Sequence, residues 1–314
     1  MKDVGSSRYE HLGFTMVLYK MEDISEVFLS SIAKYMDVIK FGWTLPLFVD
    51  DKYLENLTKL FKKFNLSYMN GGTLFEYYYK IGKIDEFIEF LHVYEFEYVE
   101  ISRGSIDIPD GDIIKIASNL IDRGFRVMYE AGKKNPYVKV RLGDEINLSK
   151  KLKDIGVEYI ILEGREIGRN TLIYDEDGYP KWDVIYEFLD ECGIEKILVE
   201  APNTWQQAEF IIEIGPEVAL GNIKLEDVLP LESLRHGLRG DVFAYREFRE
   251  KISSPSEKYI LYILDRRGPL TISQISRISG LPIRTVREAV KRLRDRGYIF
   301  EVDTHGREKI WGAR

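Results

Sequence analysis

Short apolar runs alternate with amphipathic segments from residue 14 to residue 222. Eight of these runs are rich in β-branched, leucine and aromatic residues, as buried strands are: Phe14–Lys20, Val38–Trp43, Leu66–Asn70, Tyr98–Ser102, Arg126–Glu130, Tyr159–Glu163, Lys196–Glu200 and Val218–Asn222. The segments between them place apolar residues three and four positions apart, as helices do: Ser25–Tyr35, Asp51–Phe64, Lys83–Tyr94, Asp112–Arg123, Leu148–Ile155, Trp182–Cys192 and Thr204–Ile214. Several of these segments end just before a glycine, which is a common helix stop.

Regular alternation of strands and helices predicts parallel βα units. Eight units within ~240 residues match the size of a (β/α)8 barrel, also called a TIM barrel. An open, doubly wound sheet is the alternative, although no GxGxxG motif follows the first run, which counts against a dinucleotide-binding fold. We therefore predict an α/β protein whose residues 1–250 form a TIM barrel.

A different pattern follows the linker-like segment Lys251–Lys258 (KISSPSEK). It predicts three short helices and three strands, in the order Glu257–Arg267, Leu270–Ile272, Ser273–Ser279, Ile283–Arg296, Tyr298–Val302 and Glu308–Trp311, with a turn at Thr304–Arg307. This order is typical of a winged helix-turn-helix, and TISQISRISGLPIRTVREAVKRLRDRGYI resembles the DNA-binding domains of archaeal and bacterial regulators. We therefore predict a small C-terminal winged helix domain at residues 251–314.

The third helix of this domain carries the residues that we expect to contact DNA. Arg284, Thr285, Arg287 and Lys291 would face the major groove or the phosphates, and Arg307 in the wing would touch the backbone. The segment 257–314 holds 13 Lys and Arg against 7 Asp and Glu, or +6, which leaves −13 of the total charge of −7 for the remainder. A basic small domain beside an acidic body favours contact with nucleic acid, with a protein-interaction or dimerisation role as the alternative.

Composition excludes several other classes of protein. The single cysteine, Cys192, cannot form an internal disulfide and is typical of a cytosolic protein, and no Cys/His zinc spacing occurs. No apolar run approaches the ~20 residues of a membrane span, and the N-terminal segment has no signal-peptide core. We expect a cytoplasmic protein without membrane contact, and a homo-oligomer, as barrels and winged-helix proteins often are.

Glutamates stand at the ends of four successive apolar runs: Glu100, Glu130, Glu163 and Glu200. In a TIM barrel the carboxyl ends of the strands form the active-site face, so these side chains would meet at one mouth. Carboxylates with few histidines suit a hard divalent cation such as Mg2+. Chance placement or structural ion pairs are the alternative.

Two lysines in or beside apolar strands are further candidates. In Arg126–Lys134 (RVMYEAGKK), side-chain alternation puts Glu130 and Lys134 on the same side of an extended chain, so parity favours Lys134 over Lys133 as the lysine that meets the carboxylate. Lys40 lies within an apolar run and therefore needs an anionic partner or a water-filled site. The alternative for Lys40 is that its ammonium reaches solvent beside the strand.

Candidate anion-binding residues follow the third and eighth runs. Gly72 and Thr73 open a helix-like segment, where Thr73 is a candidate N-cap and free N–H groups form a possible anion cradle. Asn222 ends the eighth run, and Arg239 lies four residues after Arg235. The region after strands seven and eight commonly binds phosphate in barrels, although a structural cap and a structural ion pair are equally open.

Seven blocks containing these residues resemble the phosphosulfolactate synthase family of coenzyme M biosynthesis. They are KFGW (Lys40–Trp43), GGTLFEY (Gly71–Tyr77), EIS-GS (Glu100–Ser105), EAGKK (Glu130–Lys134), LEGRE-G (Leu162–Gly168), EAP--QQ (Glu200–Gln207) and RHGLRGD (Arg235–Asp241). The resemblance implies a TIM barrel that adds sulfite to phosphoenolpyruvate with Mg2+.

The resemblance also implies roles for individual residues. Catalysis would fall to Lys134 as general acid, with Lys133 and Glu130 beside it, and the metal would be held by Glu100, Glu130, Glu163 and Glu200. The substrate-binding set would be Lys40, Gly72, Thr73, Ser102, Arg165, Asn222 and Arg239.

Two departures stand at positions where the family has aspartate, Tyr19 after the first strand and Arg103 after the fourth. They leave open an altered enzyme or a ligand-sensing DNA-binding regulator.

Overall fold

The computed structural model describes residues 10–134, 141–240, 254–279, 281–305 and 308–313. The chain divides into two compact units, one built from the barrel elements and one from the C-terminal elements. The domain boundary predicted at residues 250 and 251 lies outside the described residues. None of the described helices combines the length and apolar character needed to cross a bilayer.

The first unit is a closed barrel of eight parallel strands, with neighbours in chain order. The strands are β1 Thr15–Tyr19, β2 Val38–Phe41, β3 Ser67–Met69, β4 Tyr98–Ser102, β5 Arg126–Ala131, β6 Tyr159–Leu162, β7 Ile197–Glu200 and β8 Ala219–Ile223. Each predicted apolar run coincides with one strand to within about two residues at either end, the usual uncertainty of strand boundaries. The prediction of a TIM barrel is therefore confirmed, and the open sheet is excluded.

Nine α-helices in the described part of this unit cover the barrel: α1 Glu26–Ile32, α2 Asp51–Lys63, α3 Gly72–Lys80, α4 Ile84–Val93, α5 Asp110–Asp122, α6 Leu142–Asp154, α7 Trp182–Cys192, α8 Thr204–Glu213 and α9 Val228–Arg235. The predicted start of α6 at Leu148 is wrong, because the helix begins at Leu142. Its early turns bury Glu145 and Ser149, which are polar residues that an apolar pattern does not reveal.

The inside of the barrel is built in layers. One inward residue from each strand joins a single apolar cluster: Met16, Val38, Met69, Tyr98, Met128, Ile161, Leu198 and Ala219. Because strand side chains alternate, the next inward position lies two residues further along each strand. That second layer is Leu18, Lys40, Gly71, Glu100, Glu130, Glu163, Glu200 and Gly221. The ionisable residues of the second layer thus pack directly against the apolar first layer.

The second unit is a winged helix domain, as predicted. Its elements are α10 Pro255–Arg267, β9 Leu270–Thr271, α11 Ile272–Ser279, α12 Ile283–Asp295, β10 Ile299–His305 and β11 Glu308–Ala313, and the strands form an antiparallel sheet in the order β10-β11-β9. Residues from all three helices and the sheet share one apolar core, with Ile260, Ile275 and Val290 at its centre.

The wing of this domain differs from the prediction at its tip. The turn predicted to begin at Thr304 is wrong, because β10 continues to His305. Thr304 pairs with Lys309, and His305 pairs with Glu308, so the ladder holds both residues in extended form. The predicted wing residue Arg307 lies outside the described residues.

Candidate active site

Four glutamate side chains meet at the carboxyl-terminal end of the barrel. Glu100, Glu130 and Glu200 occupy the second inward layer on β4, β5 and β7, and Glu163 directly follows β6. All four are buried, and one carboxylate oxygen from each of Glu100, Glu130 and Glu200 lies within 4.8 Å of the others. The structure therefore brings the four predicted glutamates together.

Lys40 on β2 supplies positive charge at the centre of this cluster. Its Nζ lies 2.7 Å from Glu100 Oε2, 2.8 Å from Glu200 Oε1 and 3.6 Å from Glu130 Oε1. The lysine side chain is only 7% exposed, so its ammonium does not reach solvent along the strand. The anionic partner that Lys40 requires inside an apolar strand is provided by carboxylates from three other strands.

Burial and neighbouring charges divide the carboxylates into two kinds. Burial raises the pKa of Glu100 to about 7, because neighbouring carboxylates oppose the lowering effect of Lys40. Burial and the charge of Glu130 also raise the pKa of Glu163 well above its ordinary value. For Glu130, the effect of burial is outweighed by Lys134 and Lys40, which lower its pKa to about 2. Such divergent carboxylates in one cluster are typical of functional sites.

Lys134 extends the cluster on its outer side. Its Nζ lies 3.0 Å from Glu130 Oε2 and 3.9 Å from Glu163 Oε2, and it donates a hydrogen bond of 3.4 Å to Thr73 Oγ1. Burial lowers the pKa of this ammonium group, but the charges of Glu130 and Glu163 raise it more, so the net direction is upward. Lys134 is therefore a protonated group at neutral pH.

Lys133 points to the other side of the strand end. Its Nζ donates to the Asp107 carboxylate at 2.8 Å and to two carbonyl oxygens of the loop after β4, the nearer being Arg103 O at 2.6 Å. The Lys134 backbone N–H donates to Gly104 O of the same loop at 2.9 Å. Strand alternation thus separates the two lysines, with Lys133 holding a loop and Lys134 among the carboxylates.

A cavity of about 350 Å³ opens over the cluster. All eight strand ends contribute to its wall: Leu18, Lys40, Trp43, Gly71, Gly72, Thr73, Glu100, Glu130, Lys134, Glu163, Arg165, Glu166, Ile167, Glu200 and Asn222. The ionisable side chains among them are three cations and five glutamates, a formal charge of −2. With all five glutamates ionised, a cavity of this charge would repel anions, and a bound cation would reduce that repulsion.

The start of α3 holds one of the carboxylates. The Gly72 N–H donates to Glu100 Oε1 at 2.5 Å, and a Cβ at position 72 would lie 2.7 Å from the same oxygen, so glycine is required there. The prediction that Thr73 caps this helix is wrong, because Gly71 occupies the N-cap position. The Thr73 hydroxyl instead accepts the hydrogen bond from Lys134.

Only some of the other predicted substrate-binding residues line the cavity. Arg165 and Asn222 line the cavity with φ of +59° and +53°, a left-handed conformation that is uncommon outside glycine. Asn222 Oδ1 is buried and has no hydrogen-bond partner in the described part of the chain. Within the described residues, Ser102 and Arg239 are not part of the cavity wall. The anion-binding roles of these residues stay predictions.

Two glutamates that the sequence did not single out also shape the site. Glu76 on α3 is buried and accepts hydrogen bonds from the Ser102 hydroxyl and from the backbone of the loop after β4. Glu166 accepts a bond of 2.6 Å from Trp43 Nε1 and forms an ion pair of 3.3 Å with Lys20. In the sequence, these two glutamates are marked only by their positions within the family blocks GGTLFEY and LEGRE-G.

Both departures from the family pattern point away from the cavity. The Tyr19 hydroxyl lies 2.7 Å from the Tyr53 hydroxyl, in the helix layer outside the barrel. The Arg103 guanidinium forms ion pairs with Asp110 at 2.6 Å and Glu145 at 3.0 Å. Neither side chain belongs to the cavity wall in the described part of the chain. Arg103, which the sequence comparison placed at the barrel mouth, is thus directed to the helix layer outside the barrel.

The carboxylate cluster fits a hard divalent cation. Among the described residues, the Oε2 atoms of Glu100, Glu130 and Glu163 are buried and accept no aligned hydrogen bond, and the Lys40 and Lys134 ammonium groups provide their nearby positive charge. Clusters of carboxylate oxygens without nitrogen or sulfur ligands are the sites that hard cations prefer.

The winged helix domain carries a separate candidate surface on α12. One face of this helix is buried in the domain core, and the opposite face exposes Arg284, Arg287 and Lys291, with Thr285 half-buried. Three exposed cations on one helix of a helix-turn-helix match the geometry with which such domains contact DNA.

Comparison with known proteins identifies both units. Residues 6–241 match the family model of (2R)-phospho-3-sulfolactate synthase (ComA), and residues 255–299 match that of a winged helix-turn-helix DNA-binding domain. A phosphosulfolactate synthase of Methanocaldococcus jannaschii is 37% identical over 235 residues, which cover 74% of this chain and 94% of the relative. The synthase of Methanothermobacter thermautotrophicus is 38% identical over 234 residues, covering 73% and 90%, and that of Bacillus subtilis is 33% identical over 218 residues, covering 68% and 85%.

These matches confirm the resemblance carried by the seven sequence blocks. The family model spans all eight barrel strands, and each relative aligns along most of its own length. This chain belongs to the phosphosulfolactate synthase family, and a winged helix-turn-helix domain follows its barrel.

Proposed function

We propose that the barrel catalyses the Mg2+-dependent addition of sulfite to phosphoenolpyruvate, which gives phosphosulfolactate. The relatives that support this proposal are themselves phosphosulfolactate synthases. The buried cluster of Glu100, Glu130 and Glu200, with the protonated Lys134 beside it, also supports the proposal, because such an addition needs a cation site and a proton donor.

The charge of the cavity carries this proposal. Three cations against five glutamates give a formal −2, while sulfite and phosphoenolpyruvate are both anions. A cation bound there would favour the ionised glutamates and offset their repulsion of the anionic substrates. Mg2+ held by Glu100, Glu130 and Glu200, with Glu163 beside them, would supply that charge and stabilise the negative charge that develops on the substrate carboxylate.

The proposed reaction forms one C–S bond and one C–H bond. The sulfur lone pair of sulfite attacks the methylene carbon of phosphoenolpyruvate, and the electrons of the C=C bond move onto the adjacent carboxylate. The neighbouring carbon then takes a proton from Lys134 Nζ, which is later restored from solvent. Lys134 is protonated at neutral pH, the state in which a general acid must begin, and the neighbouring glutamates hold its ammonium group beside the cavity.

The remaining cations would hold the anionic groups of the substrates. Lys40 and Arg165 line the cavity and are the proposed partners of phosphate and sulfonate, and Arg239 is a third candidate for the same role. Lys133, held in the loop after β4, would keep the end of β5 in position.

The test is a product assay with phosphoenolpyruvate, sulfite and Mg2+. We expect the wild-type protein to form phosphosulfolactate and Glu130→Gln to lose this activity, because the substitution removes a charge from the cation site. The exposed Glu86→Gln on α4 is the matched control and should remain active. Absence of product from folded wild-type protein would refute the proposed reaction.

A second candidate function is DNA binding by the winged helix domain, with the barrel as a sensor of a phosphorylated or sulfonated acid. The observation in its favour is the exposed basic face of α12 in a domain of DNA-binding type. We expect Arg287→Ala to weaken binding of a labelled duplex in fluorescence anisotropy, with Lys59→Ala, an exposed substitution on α2 that removes the same charge, as control. An unchanged affinity for Arg287→Ala would remove this residue from the interface.

A further inference from the structure

The Lys40 ammonium lies among the same carboxylates that fit a metal ion. Its Nζ is 2.7 Å from Glu100 Oε2 and 2.8 Å from Glu200 Oε1, with Glu130 Oε1 at 3.6 Å. Ligand oxygens of these three glutamates lie within 4.8 Å of one another, so the space between them holds one cation. Two cations in one buried site repel each other strongly.

We propose that Lys40 takes the cation position of the metal-free protein, and that a divalent metal ion displaces its ammonium group into the cavity. The inference rests on the proposed function only in taking these glutamates as the metal site. The backbone of Lys40 is fixed by pairing with Leu18 on β1 and Met69 on β3. Only the flexible four-carbon side chain therefore has to move.

The two positions give Lys40 two different partners. In the metal-free protein its charge stabilises buried carboxylates, which would otherwise lie together without a central counter-ion. After displacement the ammonium would lie along the cavity wall, where an anionic substrate enters. Metal loading would thereby prepare the anion site, so the metal should bind before the substrate.

Mn2+ is the probe for the competition, because electron paramagnetic resonance measures its free concentration directly. Lys40→Met removes the competing charge and keeps an unbranched side chain. Lys134→Met is the matched control, since Lys134 contacts Glu130 and Glu163 at the edge of the cluster. We expect Mn2+ to bind Lys40→Met at least about tenfold more tightly than wild type, and Lys134→Met at most about threefold more tightly.

Two results of this titration would overturn the proposal. Equal tightening in both variants would mean that any lysine charge nearby weakens metal binding, without a shared position. Unchanged or weaker Mn2+ binding by folded Lys40→Met would mean that the ammonium does not compete with the metal.

A second measurement uses the wild-type protein and so does not depend on the folding of a variant. Acetylation of Lys40 by acetic anhydride, followed by mass spectrometry, should rise when Mn2+ is added, because the ammonium leaves its carboxylates. Lys59, with a side chain 70% exposed, is the internal reference and should not change. Unchanged labelling of Lys40 at saturating Mn2+ would overturn the proposal.

The product assay separates this inference from the proposed reaction. Wild-type protein that forms phosphosulfolactate while Lys40 labelling stays constant would retain the proposed function and refute the displacement. Protein that shows the Lys40 response but forms no product would support the displacement and refute the reaction.

Discussion

Replacing Glu100 by glutamine should make the stability of the metal-free barrel much less dependent on pH. Glu100 is fully buried, and its pKa rises from 4.5 to about 7 in the folded protein. One pKa unit corresponds to about 1.4 kcal/mol, so the shift amounts to about 3 kcal/mol of unfolding free energy. The folded state holds the proton more tightly than the unfolded state. This contribution is therefore fully present near pH 4.5 and is lost as the pH rises through about 7.

Urea unfolding in EDTA, followed by tryptophan fluorescence, measures this loss. We expect wild-type protein to lose about 3 kcal/mol more than Glu100→Gln between about pH 5 and about pH 8, since the other titrating groups, including Glu163, are present in both proteins. His11 contributes in both proteins, because hydrogen bonds to Asp37 and Glu232 outweigh burial and raise its pKa to about 9. The stabilisation from His11 is present below pH 6.5 and is lost as the pH rises through about 9. Because both proteins contain His11, this contribution cancels when their stabilities are compared.

A control variant and a metal addition sharpen the experiment. Glu55→Gln, an exposed substitution on α2, should keep the wild-type dependence on pH. Excess Mg2+ should reduce the loss at high pH in the wild type, because the ion binds the ionised carboxylates of the folded state. If Glu100→Gln retained the full wild-type slope, the reasoning that places a high-pKa carboxylate at this position would be refuted.

Three further outcomes follow from the same site. Lys134→Met should abolish product formation while circular dichroism shows an intact fold, and wild-type turnover would exclude Lys134 as the acid. Binding of Mg2+ at about pH 7 should release about half a proton from Glu100, as calorimetry in two buffers with different ionisation enthalpies would measure. Gly72→Ala should destabilise the protein by about 1–3 kcal/mol in urea unfolding, because the new Cβ meets the Glu100 carboxylate. Gly111→Ala on α5, whose Cβ would meet no atom within 4 Å, should not be destabilised, and equal losses would refute the steric argument.

The sequence was sufficient for the barrel because parallel strands are buried on both faces and therefore appear as continuous apolar runs. The same regularity explains why alternation correctly separated Lys134 from Lys133 at the end of β5. The position of Lys40 within an apolar strand also predicted an anionic partner, but it did not identify the residue that provides it. The identity of that partner depends on how β2 faces β4 and β7 across a closed barrel, which no local pattern contains.

The remaining differences have local physical causes. The prediction starts α6 too late because Glu145 is polar and an apolar pattern treats polar residues as exposed. In the structure Glu145 is buried and accepts hydrogen bonds from Tyr129 and Arg103. The N-cap of α3 depends on the extended backbone of Gly71, which composition does not encode. Glu76 was missed for a related reason, since its partners lie in a loop that approaches α3 only after the chain folds.

The stability cost of the cluster also bears on whether the barrel is an enzyme or only a sensor. Two carboxylates with raised pKa values, Glu100 and Glu163, lower the stability of the folded protein at neutral pH. A barrel that only binds an anion gains nothing from buried negative charge facing its ligand, because glutamine would keep most of the packing without the repulsion. Glutamates at these positions are useful to an enzyme, because they can hold a cation while negative charge develops on the substrate. The four glutamates beside a protonated Lys134 therefore favour catalysis in the barrel, whatever the winged helix domain binds.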